Sequence, residues 1–452
     1  MTGGESTDVV VIGLGPGGGE VASTLLDDGL DVVGVERELV GGECPYWGCI
    51  PSKMAVRAAD AVAEARRVPL LAGDAVVRPD YTPVARRIRA EATDNWDDSV
   101  AVTRFEKAGG RFRRGTAVIE ERGRVRVGDE VVTARRGIVI ATGSAPVRPP
   151  IPGLAESGYW TNREAIAATR APDSLVVLGG GAVGLELAQV FARFGTVVTI
   201  VEGAERVLPM EEPEASALAA DALAADGMTV HAGQRAVAVT RSAGTTSVRL
   251  DDGSTVAGAE LLVAVGRRPS VAGLGLEHYG IGGRAVPVDA RMRAADGLWA
   301  VGDVTGVGAF THLAVHQGRI AAADILGRDV APADYTALPR VTFTDPEIGS
   351  VGLTEAGARD AGLMVRAGTA AVSASSRGFV HGPGNAGLIK LVVDTDRDLL
   401  VGATTAGPAG GEVLGLLALA VHARVPVAAL RTMIFAYPTF HRGVLDALAA
   451  LS

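Results

Sequence analysis

Residues 9–12, Val-Val-Val-Ile, form an unbroken apolar run that ends at Gly13-Leu-Gly15-Pro16-Gly-Gly18, after which Val21, Ala22, Leu25 and Leu26 recur at helical spacing. A short apolar run, a glycine turn and a change to a period near 3.6 predict a buried strand leading into a helix over Glu20–Asp28. A second run, Asp31 to Val35, predicts the next strand and ends on Glu36. The same succession returns later in the chain. Ser174–Leu178 is strand-like, Gly179-x-Gly181-x-x-Gly184 is the turn, Leu185–Phe194 has helical period, and Thr196–Val201 is a strand ending at Glu202. One glycine triplet is weak evidence, but strand, turn, helix, strand and terminal acid found twice are specific for dinucleotide binding. In each copy the first glycine makes the turn, the second lets backbone approach a pyrophosphate, and the third packs helix on strand. Glu36 and Glu202 both lie 18 residues past their third glycine, where a carboxylate accepts hydrogen bonds from ribose hydroxyls.

Other apolar runs complete the outline. Gly137–Ser144 and Leu261–Pro269 are strand-like and close on small residues, and Pro146, Pro149, Pro150 and Pro152 mark a boundary. Gly297–Asp303 predicts a further strand and Leu313–Leu326 a helix. From about Tyr335 the dinucleotide signal stops. Short strands at Val341–Phe343, Leu388–Val393 and Leu400–Thr404 alternate with helical runs at Gly411–His422 and Gly443–Leu451, as in a separate α+β domain. The expected fold class is therefore α/β, with two Rossmann-like dinucleotide-binding domains and an α+β domain.

Composition narrows the function. The 452 residues are 48% hydrophobic with a net charge of −9, and no basic, aromatic-interleaved stretch could track nucleic acid. No run has the length of a membrane span and none resembles a signal sequence, so a cytoplasmic protein is expected, with no nucleic-acid or membrane partner. Only two cysteines occur, Cys44 and Cys49, inside Gly41-Gly-Glu-Cys-Pro-Tyr-Trp-Gly-Cys-Ile-Pro-Ser-Lys53. On a regular helix two residues five apart are separated by roughly 8 to 9 Å, beyond disulfide reach, so the backbone between them must break. Pro45 and Gly48 are suited to such a break. A disulfide closing so small a loop adds little stability, which points to redox chemistry. Zinc would need about four ligands and finds none nearby, so no metal is expected, and a plain buried thiol pair is the bland alternative. A helix starting near Ile50–Lys53 would set its positive end beside Cys49 and favour the thiolate. Of 43 basic residues only Lys53, Lys107 and Lys390 are lysines, so a lysine inside this segment marks a place for a compact ammonium.

Gly41-Gly42-x-Cys44-x4-Cys49-Ile-Pro-Ser-Lys53, set between two dinucleotide fingerprints, resembles the flavin-dependent pyridine nucleotide-disulfide oxidoreductases, which include dihydrolipoamide dehydrogenase, glutathione reductase and mercuric reductase. Ala141-Thr142-Gly143, Val301-Gly302-Asp303 and Phe343-Thr-Asp-Pro-Glu347 extend the resemblance over nearly the whole chain. It implies FAD held by Gly13, Gly15, Pro16, Gly18, Glu36, Gly42, Lys53, Ala141, Thr142, Gly143, Gly302, Asp303, Leu313 and Ala314. It implies a nicotinamide donor held by Gly179, Gly181, Gly184 and Glu202, with Gly266 and Arg267 as further cofactor-binding residues. The implied division is residues 1–152 with 276–333 for FAD, 153–275 for NAD(P), and 334–452 for a homodimer interface. Electrons would pass from nicotinamide through flavin to a Cys44–Cys49 disulfide, with Cys49 the flavin-side thiol and Cys44 the outer one that attacks a small acceptor. Lys53 would stand beside the flavin N5 with Glu186 as its ion-pair partner. The helix near Leu313 either aims its N-terminus at the flavin or simply packs on the sheet. Glu202 repels a 2′-phosphate, so NADH is expected over NADPH, with Arg206 a counter-signal.

One segment departs from the family. Where the disulfide reductases carry His-Pro-Thr-x-x-Glu, this chain has Tyr437-Pro-Thr-Phe-His441-Arg442. Tyrosine, with a reference pKa near 10, is a poor base at neutral pH. Three readings follow: His441, one helical turn from Tyr437, acts as a displaced base; the acceptor is a metal ion, as in mercuric reductase; or it is a quinone that needs no thiol acid–base partner. A non-catalytic flavin redox sensor is the alternative from a different class.

Overall fold

A computed structural model describes residues 5–451. It resolves into two compact units, one comprising the chain up to Pro51, Arg87–Val147 and Gly266–Asp334, the other Ser52–Arg86, Arg148–Val265 and the chain from Tyr335.

The first unit is built on an eight-stranded sheet. Its main path runs Arg293–Ala295, Leu298–Ala300, Glu130–Ile140, Glu5–Ile12, Val32–Glu36, Arg111–Arg114, and the strands Ala117–Glu121 and Arg124–Val127 extend antiparallel from Glu130–Ile140. Val9–Ile12 lies at the centre, parallel to both neighbours, with Val9 opposite Val32 and Gly137 and Ile12 opposite Val35 and Ile140. Such a strand is covered on both faces, which is why its sequence is a continuous apolar run. The helix Pro16–Asp27 starts four residues earlier than its apolar period indicates, because Pro16 at the first helical position and the glycines behind it form its opening turn. Its small residues let the helix Thr311–Ile325 approach closely: a Cβ on Gly17 would sit 3.0 Å from the Ala314 carbonyl oxygen. The strand expected over 137–144 stops at Ile140. Gly143 has φ +65, and the chain turns into a short ribbon in which Ser144–Pro146 pairs antiparallel with Arg267–Pro269.

The second unit contains the repeated motif. Its parallel sheet has the order Thr229–Ala232, Val197–Glu202, Ser174–Leu178, Glu260–Val263, with the helix Ala182–Arg193 following the glycine turn. A three-stranded antiparallel sheet, Ala236–Ser242, Thr245–Leu250 and Thr255–Gly258, joins its core through Val239, Val248 and Leu250. The C-terminal part is a five-stranded antiparallel sheet in the order Pro339–Thr342, Glu347–Gly352, Leu399–Gly407, Leu388–Asp394, Val365–Ala371. The helices Gly410–His422 and Gly443–Ala449 bury Leu414, Leu417 and Val444 against it. The helical relation expected between Tyr437 and His441 is not present. Residues 433–439 are irregular, a 3-10 turn covers Phe440–Arg442, and the helix begins only at Gly443, since Pro438 lacks the amide a helix would need there.

Candidate active site

The two cysteines sit on either side of a helix break. Gly41 and Gly42 have φ +112 and +70, the short helix Glu43–Trp47 follows, Gly48 interrupts it at φ −132, ψ −115, and the helix Cys49–Arg67 begins at once. A Cβ on Gly42 would come within 2.8 Å of the Gly15 Cα, so this loop lies directly against the first glycine turn. Both cysteines are thiols and half-buried. Their hydrogen bond raises the Cys44 pKa, burial raises it further, and Thr311 works against the rise. The hydrogen bond to Cys49 thus holds the Cys44 thiol above its usual range. Cys49 Sγ is 3.3 Å from the Thr311 hydroxyl, and Thr311 opens a 15-residue helix, just as Cys49 opens one of 19. Two helix N-termini thus converge on Cys49, an arrangement that favours a thiolate there.

A polar chain runs behind the cysteines. The Arg267 guanidinium is 3.5 Å from the Glu43 carboxylate and donates to the Ser144 hydroxyl at 2.8 Å, and that hydroxyl donates to Asp303 Oδ2 at 2.6 Å. Gly266 and Arg267 belong to this first unit, whereas Gly179, Gly181, Gly184 and Glu202 lie in the second.

The two dinucleotide turns have matching geometry. A Cβ on Gly13 would meet the Ala141 carbonyl oxygen at 2.3 Å, and one on Gly179 would meet that of Ala264 at 2.4 Å. Glu36 accepts the Leu14 and Glu38 amides, each at 2.9 Å, while Glu202 accepts the Gly180 amide at 2.5 Å and the Ala204 amide at 2.7 Å. Gly15 and Gly181 are different in kind: a Cβ would touch only the Gly42 Cα, at 3.8 Å, on the former and nothing within 4 Å on the latter. The backbone there is bare for lack of a side chain. These cradles fit a dinucleotide pyrophosphate.

In the second unit Lys53 Nζ is 2.6 Å from Glu186 Oε2, with Glu186 only 6% exposed and Lys53 35%. Glu186 Oε1 accepts the Phe343 amide at 2.9 Å, and the ammonium lies 4.6 Å from the centre of the Phe343 ring. Tyr437 is 68% exposed and, with Pro438, Phe379, Val380 and Ser375, lines an open cavity of about 500 Å³. His441 lies 3.3 Å from the Thr439 hydroxyl and 5.9 Å, centre to centre, from the Phe435 ring.

Residues 7–318 match the family described as pyridine nucleotide-disulphide oxidoreductase, and residues 338–448 match its dimerisation domain. The chain belongs to the pyridine nucleotide-disulphide oxidoreductases. It is 35% identical to the dihydrolipoyl dehydrogenase of Thermus scotoductus over 98% of this chain and 97% of that one, and 34% identical to the mercuric reductase of Streptomyces lividans over 93% and 91%. Among solved structures, the copper(II) complex of the HOCl-induced flavoprotein disulfide reductase RclA from Escherichia coli superimposes with a TM-score of 0.85 at 27% identity, covering 98% of this chain and 99% of that one. The protein is thus an FAD-dependent NAD(P)H disulfide oxidoreductase, and its C-terminal domain supports a homodimer. Among the described residues, no helix of this oxidoreductase is long and apolar enough to cross a membrane.

The structure gathers Cys44, Cys49, Gly42, Gly15 and Asp303 around one end of the first unit's sheet, and Lys53 with Glu186 in the second. Sequence reasoning missed Thr311, Ser144 and Phe343. Thr311 escapes the apolar pattern because the helix starts two residues before Leu313, where that periodicity first becomes visible.

Proposed function

We propose that this oxidoreductase takes reducing equivalents from NADH and passes them through Cys44 and Cys49 to a small disulfide. The hydrogen-bonded thiol pair beside Thr311 carries this reading. Bound FAD supplies hydride acceptance from nicotinamide and delivery of an electron pair to a disulfide. In this reading Gly13, Gly15, Gly18, Glu36 and Asp303 would hold it, and Lys53 would supply a positive charge to it. Once reduced, Cys44 attacks the acceptor disulfide, releasing one thiol and forming a mixed disulfide. Cys49 then attacks Cys44 Sγ, expels the second thiol and restores the internal bond. Per turnover one NADH and one proton become NAD, and one acceptor disulfide becomes two thiols.

NADH preference draws support from two observations. Glu202 turns its carboxylate toward the second glycine turn, and Arg206, the competing signal, is occupied by the carbonyls of Leu208, Pro209 and Glu211 at 3.1, 2.9 and 2.8 Å. A kcat/KM for NADH at least about tenfold above that for NADPH is expected, a difference of about 1.4 kcal/mol. Equal values, or a preference for NADPH, would contradict it. The three-part domain division and a cytoplasmic location belong to the same reading.

A metal-ion acceptor is the second reading. Tyr437 stands where a proton-exchanging histidine is expected, and mercuric reductase and copper-complexed RclA are among the similar proteins. An acceptor screen on wild type and Cys44→Ser, with NADH against lipoamide, glutathione disulfide, copper(II), mercury(II) and a benzoquinone, separates the cases. Disulfide turnover abolished by Cys44→Ser supports the first reading. Metal turnover without disulfide turnover supports the second, and quinone turnover indifferent to Cys44→Ser removes the thiols from the route.

A further inference from the structure

Lys53 and Asp60 are seven residues apart in the helix Cys49–Arg67, and Glu186 and Arg193 are seven apart in the helix Ala182–Arg193. Seven residues are about two turns, so each pair lies along one helix face. The faces meet in two rungs. Lys53 Nζ reaches Glu186 Oε2 at 2.6 Å, and Arg193 Nη1 donates to Asp60 Oδ1 at 2.7 Å.

The segment 343–345 is stitched along the same face of the second helix. Glu186 Oε1 accepts the Phe343 amide. One turn on, Gln189 Oε1 accepts the Asp345 amide at 2.8 Å while its Nε2 donates to the Asp345 carbonyl at 3.0 Å. Arg193 Nη2 donates to Asp345 Oδ2 at 2.7 Å, and Arg67 from the first helix reaches the same oxygen at the same distance. Arg193 Nε completes the cluster on Asp226 Oδ2 at 3.0 Å.

Arg193 is 2% exposed yet meets three carboxylates. Buried ion clusters add little stability over well-packed apolar groups of similar size. A planar fork held on three acids does, however, fix direction. Through Asp60 it sets one helix against the other. Through Asp345 it holds the turn that supplies two further contacts of the Lys53 site, the Phe343 amide on Glu186 and the Phe343 ring beside the ammonium.

We propose that Arg193 is a positioning residue for Lys53, fixing the ammonium through Asp60 on one side and through Asp345 and Phe343 on the other. This rests on the reading that Lys53 acts at the flavin. Gln189 serves the same clamp one turn nearer.

The chain's three lysines make the test direct. Holoenzyme labelled with carbon-13 at the lysine ε position gives three signals, assigned with Lys53→Arg and Lys107→Arg. Arg193→Lys keeps the charge but cannot span three acids, and Gln189→Ala is a second variant should the first fail to fold. Either is expected to move the Lys53 signal toward its position in Glu186→Gln, to shift the flavin midpoint potential negative in the direction expected of Lys53→Met, and to add no further shift in the Lys53→Met background. A Lys53 signal and potential identical to wild type, beside a lowered urea midpoint, would make Arg193 merely structural and overturn the proposal. If the lysine signal moves while Lys53→Met leaves the potential unchanged, the clamp stands and the flavin role of Lys53 falls.

Discussion

Asp60 and Thr311 show how single side chains tune this protein. Burial pushes the Asp60 carboxyl up to about 6, against the pull of Arg193, while Asp345 is held below its usual range because Arg193 and Arg67 outweigh its burial. A raised carboxyl binds its proton more tightly in the folded state, so its contribution to stability falls as pH rises from about 4 to about 6 and stays lost above. Asp60→Asn is therefore expected to flatten the pH dependence of the melting temperature across that window, measured by calorimetry at pH 4.5, 6 and 8. An unchanged slope would contradict the assignment. Thr311 lowers the Cys44 pKa, so Thr311→Val should move the pH profile of Cys44 alkylation in the NADH-reduced enzyme to higher pH, slowing the reaction several-fold at pH 7. An unmoved profile would separate Thr311 from the thiol pair.

At the scale of elements, two glycines of similar appearance in the sequence have different work. A Cβ on Gly18 would lie 2.0 Å from the Gly13 carbonyl oxygen, whereas one on Gly181 meets nothing within 4 Å. Gly18→Ala is expected to yield protein depleted of FAD and lowered in melting temperature, as flavin absorbance and thermal scans would record. Gly181→Ala should retain FAD and the wild-type melting temperature while raising the NADH KM about tenfold, equivalent to about 1.4 kcal/mol. Equal behaviour of the two would undo the distinction. Both βαβ openings were legible because buried parallel strands and glycine turns write themselves as continuous apolar runs and fixed spacings. The break between Cys44 and Cys49 was legible too, from disulfide reach and Gly48. The start of the helix at Thr311 was not, since its first residues, Thr311 and His312, are polar and carry no period. Nor was the Arg193 clamp, whose members Asp60, Asp226 and Asp345 are dispersed along the chain and meet only in the fold.

Taken as a whole molecule, the protein keeps the family's two nucleotide turns, its cysteine pair and its dimerisation domain, and alters the segment around Tyr437. The Tyr437 phenol is exposed and a cavity opens beside it. In the proposed route a nicotinamide's electrons arrive at Cys44 and Cys49. Because the chain has no other cysteine, the route can be read by counting thiols. Air-oxidised holoenzyme, made anaerobic, is treated with an equivalent of NADH, alkylated under denaturing conditions and weighed by mass spectrometry beside an untreated sample. Two alkyl groups per chain are expected after NADH and none before. Two groups in both samples, or none in either, would contradict that route.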